Sequence, residues 1–470
     1  MVGKKWRFLS LVLAGALTLA GCGGTGGAEA GSSKSTASSA ESGKETVRVV
    51  VPGLSQESTV DPVSGLETKS LKEYQDFLND KIPEYNIELK TIAWDGWIQS
   101  LEAMITAGEA DVGFYTNQEA VPNWYIDLTP YLEKDEDVNL DNLSDWFIDP
   151  AVHYSTYKSF NYPNESGKIF GLPVTIASMM ITYDSQIFEE WGVEEPTANM
   201  SFSELVDLAE KVTGTNPVTG KTNYGAYMFA TLTEWYSLAY DAVKPYSSET
   251  MDINDLDTAE YVEYIKSSPE VREYYEDMIR LVDCCNSAVA TGSGNENWLT
   301  ENNDIAINFD IKNSTRPYMQ YVYAEDKTIT DRYKTLMIPA GENGEGFPEF
   351  FRFSITNSAK NPDAAWEVVK EMTTNKEIVN FYLENYAADK ISCLSDTEGM
   401  SIMDYDINKE RHEYQLNNMF ITDDYWYWRT AMQEVNNQIL SKQYDADQAI
   451  EALYEGMNSW VSNIKQQSGK

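Results

Sequence analysis

The sequence is poor in basic residues and in histidine. Its 470 residues include 35 lysines and arginines against 75 aspartates and glutamates, which gives a formal net charge of −40. Nucleic acids and anionic membrane surfaces bind basic protein faces, so this charge argues against either as a direct partner. The sequence has only two histidines, His153 and His412, which argues against a catalytic triad that depends on histidine. The charge is interpreted as a means of keeping the protein soluble outside the cell.

Cysteine is also scarce. The sequence has four cysteines, and Cys284, Cys285 and Cys393 remain once Cys22 near the N-terminus is set aside. An odd number with no spaced Cys-x-x-Cys pair implies neither a disulfide framework nor a zinc site. Cys284 and Cys285 could form a strained disulfide between neighbours, but free buried thiols are the predicted state.

Only one apolar run stands out, and it lies at the start of the chain. The run Phe8–Ala20 follows a basic start and is too short to cross a bilayer comfortably. It ends in Leu19-Ala20-Gly21-Cys22, which resembles the lipobox of bacterial lipoproteins, in which the cysteine is diacylated. Residues 1–21 are predicted to be a lipoprotein signal peptide and Cys22 the lipid-attachment site. The alternative is an ordinary cleaved signal peptide.

A low-complexity segment follows the predicted attachment site. Gly23 to Lys44 consists almost entirely of glycine, serine, alanine and threonine. Such a segment cannot bury enough apolar surface to become ordered, so residues 22–45 are predicted to be a disordered tether. Together these features predict a protein attached by its lipid to the extracellular face of a bacterial cell membrane.

Periodicity in the following stretch switches between strand and helix. The apolar run Val47–Val51 predicts a strand, and apolar residues at helical spacing from Leu71 to Ile82 predict a helix. A second strand is predicted at Ile87–Ile92, a second helix at Ile98–Ile105, and a third strand at Val112–Tyr115. This alternation is typical of a parallel α/β sheet.

Later helices carry clear end signals. Ser201 and Glu204 form a capping box in front of an apolar stripe, and Asn361-Pro362 provides an N-cap followed by an N1 proline. The apolar face from Ala449 to Ile464 predicts a long final helix. Residues 46–470 are therefore long enough, and patterned well enough, for two or three globular units.

Three stretches together resemble the extracellular family 1 (maltose-type) solute-binding proteins. Ile92–Leu132 contains a strand, a helix, an "Ala-Gly-Glu-Ala-Asp-Val" strand start and a "Leu-Thr-Pro-Tyr" segment. Lys168–Leu205 contains "Lys-Ile-Phe-Gly-Leu-Pro", a "Tyr-Asp" pair and a capped helix. Ile338–Glu371 and Tyr425–Ala452 resemble the late hinge, the "Asn-Pro-x-Ala-Ala-Trp" helix and the C-terminal helices. The likeness covers roughly Thr46 to Trp460.

The resemblance implies an α/β, two-lobe periplasmic-binding-protein-like fold with the ligand in the cleft between the lobes. It implies an N-lobe of residues 46–174 plus 339–386 and a C-lobe of residues 175–338 plus 387–470. The family layout places the crossing segments near 175–179, 334–338 and 387–392. Ligands of open α/β sheets bind beyond the carboxyl ends of strands, and two lobes bring two such edges face to face.

A sugar site needs flat aromatic rings for apolar C–H faces and planar polar groups for hydroxyls. In the first lobe the residues that follow strand ends are the candidates. They are Gln56, Trp94, Tyr115, Asn117 and Gln118. The alternative is that Tyr115–Gln118 is a loop that caps the next helix. Trp97 is the alternative to Trp94, because one of the two can line the cleft while the other packs.

In the second lobe, the resemblance places stacking aromatics at two positions. Trp235 and Tyr236 follow the strand that ends in Tyr-Gly-Ala-Tyr, and Tyr425 and Trp426 open a late helix. Consecutive aromatics on a helix cannot all face one way, so one or two of them reach the cleft.

Two charged residues complete the predicted site. Asp310 lies where relatives of this family often have a Gly-x-Trp segment. At this position a hydrogen bond from the ligand to Asp310 is predicted in place of aromatic stacking. Arg352 could clamp hydroxyls or a carboxylate, the alternative being an exposed arginine on a surface strand. The alternating acids of Asp135–Asp141 resemble a calcium loop, but leucine replaces its glycine and tryptophan its final glutamate, so a solvated loop is predicted.

The predicted function is high-affinity capture of an extracellular oligosaccharide and its delivery to the membrane permease subunits of an ABC importer. A monomer without catalytic residues, cofactor or metal is expected, in contact with the membrane only through its lipid. Two alternatives stay open from the sequence: the same fold binding a peptide or polyamine, and a lipid-anchored glycoside hydrolase that uses paired carboxylates.

Overall fold

The computed structural model describes residues 43–60, 65–116, 121–157, 162–177, 180–198, 200–229, 259–310, 315–324, 327–337, 349–418 and 425–468. The predicted signal peptide, Cys22 and nearly all of the predicted tether lie outside these residues. Within the described ranges, no helix is long and apolar enough to cross a membrane.

The strands, in chain order, are β1 (Glu45–Pro52), β2 (Thr59–Val60), β3 (Glu67–Thr68), β4 (Tyr85–Ile92), β5 (Val112–Tyr115), β6 (Leu172–Ala177), β7 (Met180–Asp184), β8 (Gly214–Thr215), β9 (Thr222–Tyr227), β10 (Ile305–Asn308), β11 (Tyr333–Met337), β12 (Glu349–Ile355) and β13 (Ile391–Ser392). The α-helices are Leu71–Lys81, Trp97–Thr106, Val121–Trp124, Thr129–Leu132, Leu143–Trp146, Asp149–Ser155, Ser185–Trp191, Phe202–Lys211, Ala259–Ser267, Pro269–Asp283, Thr315–Tyr323, Thr328–Arg332, Pro362–Thr374, Lys376–Tyr386, Asp406–Asn418, Tyr425–Leu440 and Ala446–Ser468.

Two larger sheets organise the molecule. The first has six strands in the order β13-β6-β12-β5-β1-β4, and the second has five in the order β11-β7-β10-β9-β8. In the first sheet β1 is parallel to both β4 and β5, while β12 is antiparallel to β5 and β6. In the second sheet β9 and β10 are parallel, and β7 runs antiparallel to β10. Each sheet with its covering helices forms one lobe, and this two-lobe α/β fold is the predicted one.

The local signals in the sequence account for these elements. The predicted strands at Val47–Val51, Ile87–Ile92 and Val112–Tyr115 are confirmed as β1, β4 and β5. Ser201 caps its helix as predicted, because its side chain accepts from the Glu204 backbone N–H while the Glu204 carboxylate accepts from the Ser201 N–H. These caps satisfy backbone donors that a helix end otherwise leaves unpaired.

One apolar core lies on each sheet, and the first core continues onto Met180 of β7 and Tyr333 of β11. The first core packs the helices Leu71–Lys81, Pro362–Thr374 and Lys376–Tyr386 on the six-stranded sheet. The second core packs Phe202–Lys211, Pro269–Asp283 and the C-terminal helices on the five-stranded sheet. The three cysteines described are free thiols, as predicted, with Cys284 and Cys393 buried and Cys285 half-buried.

The predicted lobe boundaries stay a prediction, but two short stretches near the crossings pair with the first sheet. Residues 175–177, assigned to the C-lobe, are the end of β6 and pair with β12 and β13 of the first sheet. Residues 391–392, also assigned to the C-lobe, form β13 in the first sheet, and Leu394 lies in the first core. The family layout alone does not show which side of a crossing a short strand pairs with.

The strands that lead from one lobe to the other fix how their edges are arranged. β6 ends at Ala177 in the first sheet, and β7 begins at Met180 in the second. Ala177 pairs with Glu349 at the start of β12, and Met180 pairs with Met337 at the end of β11. The connection from β6 to β7 and the connection from β11 to β12 therefore join the same edges of the two sheets. Since β6 runs parallel to β1 and β7 antiparallel to β10, the carboxyl ends of the parallel strands in both sheets lie beside these connections.

Candidate functional site

In the first lobe, an aromatic side chain stands at the carboxyl edge of the sheet with much of its ring in solvent. Trp94 follows β4 by two residues and is 43% exposed. Its ring packs at a steep angle against Phe351 and Phe114, with ring centroids 6.4 and 5.8 Å apart. These contacts position the indole and leave a large part of the side chain accessible.

A glycine at the end of β1 makes room for this ring. Gly53 extends the ladder, because its N–H donates to the Ile92 carbonyl over 2.8 Å, and its φ of 78° favours glycine. A Cβ atom at Gly53 would lie 2.0 Å from the Trp94 Nε1 atom. Any larger residue would both strain the backbone and displace the indole.

An ion pair completes the same surface. Lys390, just before β13, lies with its Nζ atom 5.0 Å from the Phe351 ring centroid and 3.1 Å from each carboxylate oxygen of Asp389. We define the Trp94 surface as Gly53, Trp94, Phe351, Asp389 and Lys390. It combines an apolar face, a hydrogen-bond acceptor and a donor, which is the combination that recognises a sugar.

Tyr115 and Arg352, both predicted site residues, lie on the other side of the same strands. Tyr115 is 5% exposed and packs against Tyr125, and its burial raises the pKa of its hydroxyl to about 12. Arg352 is 2% exposed, with its guanidinium 5.5 Å from the Tyr115 ring centroid, and it donates to the Tyr154 carbonyl over 2.6 Å. Burial also lowers the pKa of Arg352.

The structure assigns both residues a packing environment. Tyr115 belongs to a buried cluster with Val50, Leu101 and Phe170, rather than to a loop that caps the next helix. The alternative for Arg352, an exposed arginine on a surface strand, is wrong because the residue is buried within the sheet. Whether either residue contacts a ligand stays a prediction.

In the second lobe, three polar groups meet at the carboxyl ends of two parallel strands. Asn308 pairs with Tyr227 across β10 and β9, and the Asp310 N–H donates to Asn308 Oδ1 over 2.8 Å. All three residues are at most 3% exposed. Burial, followed by the negative charge of Asp310, raises the pKa of Tyr227. We call these residues the Tyr227 cluster.

One donor in this cluster has no partner. The Asn308 Nδ2 group is buried and makes no hydrogen bond within the described part of the chain. A buried polar group without a partner costs free energy that a ligand hydroxyl could recover. Asp310, predicted from the sequence, therefore lies at a strand end with two polar neighbours that the sequence analysis did not name.

Other predicted residues fall elsewhere. Gln56 is exposed after β1. Asn117, Gln118, Trp235 and Tyr236 lie outside the described residues. Tyr425 and Trp426 open the helix Tyr425–Leu440, and their side chains are outside the described part.

The calcium-like loop has a different role from a solvated loop. The Asp135 carboxylate, only 6% exposed, accepts from Trp366 Nε1 and Lys370 Nζ, each at 2.8 Å. Burial by itself would raise its pKa, but the hydrogen bonds from Lys370, the backbone and Trp366 lower it to about 2. Asp135 thus joins this loop to a helix of the first lobe. No cluster of histidine, cysteine or acidic residues suited to a metal ion occurs among the residues described.

The Trp94 surface also shows what the sequence analysis missed. Phe351, Asp389 and Lys390 were not proposed as contacts, although 387–392 was expected to contain a crossing. One signal could have identified them. β13 begins at the edge of the sheet where β1 and β4 end, so the rule that ligands bind at this edge also applies to the residues just before β13.

Several solved structures share this fold. One is an ABC substrate-binding protein from Listeria monocytogenes in complex with cycloalternan, with a TM-score of 0.64, 17% sequence identity and coverage of 91% of this chain and 100% of that chain. The sugar-binding protein MalE from Xanthomonas citri has a TM-score of 0.65 and 14% identity, with 90% of this chain and 99% of that chain covered. The GacH receptor of Streptomyces glaucescens, solved unliganded and with acarbose, has a TM-score of 0.61 and 14% identity, with 89% and 99% covered.

At such identities the likeness establishes the fold alone. No curated protein matches the sequence significantly. A sequence model of bacterial extracellular solute-binding proteins, however, matches residues 64–378, well over half of the chain. The chain therefore belongs to the bacterial extracellular solute-binding protein family.

Proposed function

We propose that the protein captures a carbohydrate, an oligosaccharide in particular, outside the bacterial cell and delivers it to the permease of an ABC importer. The observation that carries the proposal is the Trp94 side chain, which packs against Phe351 and Phe114 and is 43% exposed at the carboxyl edge of the first sheet. Such a ring covers the apolar face of a pyranose and loses little conformational entropy on binding.

The opposing edge supports the same ligand class. The Tyr227 cluster offers an amide donor without a partner and a carboxylate, both buried at strand ends. Hydroxyl groups can donate to the carboxylate and accept from the amide. We propose that the ligand lies between the Trp94 surface and the Tyr227 cluster. Trp235, Tyr236, Tyr425 and Trp426 remain proposed stacking residues of the second lobe.

Binding without turnover follows from this assignment. The family is one of binding proteins.

Calorimetric titration and thermal unfolding with maltose, cycloalternan, D-mannitol, D-tagatose, a tripeptide and spermidine test the proposal. At least one sugar is expected to raise the melting temperature, since a ligand stabilises by RT ln(1 + [L]/Kd). Chromatography of the recovered sugar should show it intact. Stabilisation by the tripeptide or spermidine alone, or release of shorter sugars, would contradict the proposal.

We also propose that Cys22 carries the lipid. The supporting observation is the Leu-Ala-Gly-Cys end of the apolar run followed by a segment too polar to fold. Metabolic labelling with a fatty acid in a bacterial host should mark the natural chain and leave Cys22→Ser unlabelled. Equal labelling of both chains would assign the lipid to another residue.

A further inference from the structure

A cavity lies beside the Trp94 surface and shares two of its residues. Gly53, against which the Trp94 indole rests, lines the cavity on one side, and Asp389 lines it on the other. The remaining contacts run from Asp389 to Lys390, from Lys390 to Phe351 and from Phe351 back to Trp94. The cavity and the exposed indole therefore belong to one continuous surface.

The charges around this cavity have a definite balance. Its polar lining includes Glu67, Gln320, Glu384, Asn385 and Asp389. Lys390 neutralises Asp389, and its side chain is only 15% exposed. An anionic ligand group would thus meet a lysine already neutralised by Asp389, the Glu384 carboxylate, and Glu67, which is paired with Lys69. A neutral hydroxyl can donate to Asp389 or accept from Lys390.

The backbone that carries the ion pair is held in place from outside the surface. The Tyr323 hydroxyl donates to the Ala388 carbonyl over 2.8 Å, and Arg411 Nη2 donates to the Asp389 carbonyl over 2.6 Å. Asn408 supports both, because its Nδ2 group donates to the Tyr323 hydroxyl over 2.8 Å and its Oδ1 atom accepts from Arg411 Nη1. Since these groups are buried, the Asp389–Lys390 turn is positioned before any ligand arrives.

We propose that Asp389 and Lys390 recognise two adjacent hydroxyl groups of a neutral sugar whose ring stacks on Trp94. Lysine has three N–H donors, and the described residues supply it with a single partner group, Asp389. One hydroxyl accepts from Lys390 and its neighbour donates to Asp389, so the pair selects neutral sugars with adjacent hydroxyls over uronates. This inference rests on the proposed function and names the ligand class of the same site.

The test combines one protein change with one ligand change. Lys390→Met and Asp389→Asn are titrated with the tightest-binding neutral sugar of the panel and with its monodeoxy and uronic acid analogues. Each variant should bind the parent sugar about 10-fold to 100-fold more weakly, the range expected for a lost hydrogen bond to a charged group. Removing one of the adjacent hydroxyls should weaken binding to the natural protein by a similar factor and to Lys390→Met by less than about twofold.

The control is Lys376→Met, which removes an exposed lysine paired with Asp396 and should leave affinity unchanged. Thermal unfolding of every variant separates lost binding from lost folding, and Asp389→Asn keeps the size of the side chain. Suppose that the natural protein binds a sugar, that Lys390→Met binds it equally well, and that removing the hydroxyl still weakens binding to Lys390→Met as much as to the natural protein. The inference is then wrong and the proposed function stands. If no sugar of the panel binds the natural protein, the proposed function fails first.

Discussion

Two aromatic–cation pairs that share β12 have opposite surroundings: Tyr115 of β5 with Arg352 of β12, and Phe351 of β12 with Lys390, just before β13. Tyr115 and Arg352 face a buried cluster, and the arginine donates to backbone carbonyls. Phe114 and Phe351, their immediate chain neighbours, face Trp94, and Phe351 also faces the partly buried Lys390. Neighbouring residues of a strand point to opposite faces of the sheet. Moving one position along β5 or β12 therefore leads from the buried Tyr115–Arg352 pair to the face that carries the Trp94 surface.

The largest expected effect tests the buried pair. Arg352→Ala should lower the free energy of unfolding by about 3–5 kcal/mol, because it leaves a cavity and two carbonyl acceptors without their donor. Urea unfolding measures the loss. Arg272→Ala is the control, since that arginine is 46% exposed and solvent screens its ion pairs, so the free energy of unfolding should change little.

Affinity provides the other half of this test. The folded fraction of Arg352→Met, which keeps most of the side-chain volume, should bind sugar within about threefold of the natural protein. Near-normal stability combined with a loss of affinity above tenfold would move Arg352 from the core to the site.

The next effect tests the exposed surface. Trp94→Ala should weaken sugar binding by about 2 kcal/mol or more, over tenfold in the dissociation constant, with a small change in melting temperature. Trp97→Ala is the matched control, because Trp97 is half-buried and packs against the first core. That variant should lose stability and keep its affinity. The reverse outcome would exchange the roles of the two tryptophans.

The smallest effect extends the comparison to another buried charge. Asp135→Asn should cost about 1–2 kcal/mol of stability at pH 7, because the pKa of Asp135 is lowered to about 2 in the folded protein. A lowered carboxyl pKa stabilises above its unfolded value near 4, so the difference between the two proteins should shrink as pH falls from about 4 to about 2.

Urea unfolding at several pH values measures this difference. Asp137→Asn, on the same loop but exposed, should stay within about 0.5 kcal/mol of the natural protein. Stabilisation of the natural protein by added calcium, lost in both variants, would restore the calcium-loop interpretation.

The sequence predicts this fold well because its signals are local. The capping box at Ser201 and the strand at Val112–Tyr115 depend on residues that are neighbours in the chain. The resemblance to a two-lobe family supplied the long-range arrangement. The placement of residues 391–392 depended on pairing with β6, more than 200 residues earlier, and local pattern carries no information about that partner.

The site was harder to predict for the same physical reason. The strand-end rule named Trp94 and Arg352, whose contacts with a ligand stay predictions, and the structure buries Arg352 on the face of β12 opposite to Phe351. A shift in the strand register falls between these two residues, which simple alternation cannot anticipate. Lys390 could not be recognised because its partner aromatic lies on a strand 39 positions away in the chain.

The passage from β6 to β7 sets a mechanical limit on the two lobes. Ala177 and Met180 are three Cα steps apart, which span at most about 11 Å. This connection limits how far the two sheets can separate beside it, so we expect their relative movement there to be a rotation. Glu349 and Met337, which pair with the two strand ends, sit close to the pivot. β4 and β8 lie at the far ends of their sheets, so such a rotation should change the distance between them most. A pair of distance labels on these two strands would therefore measure the rotation with the highest sensitivity.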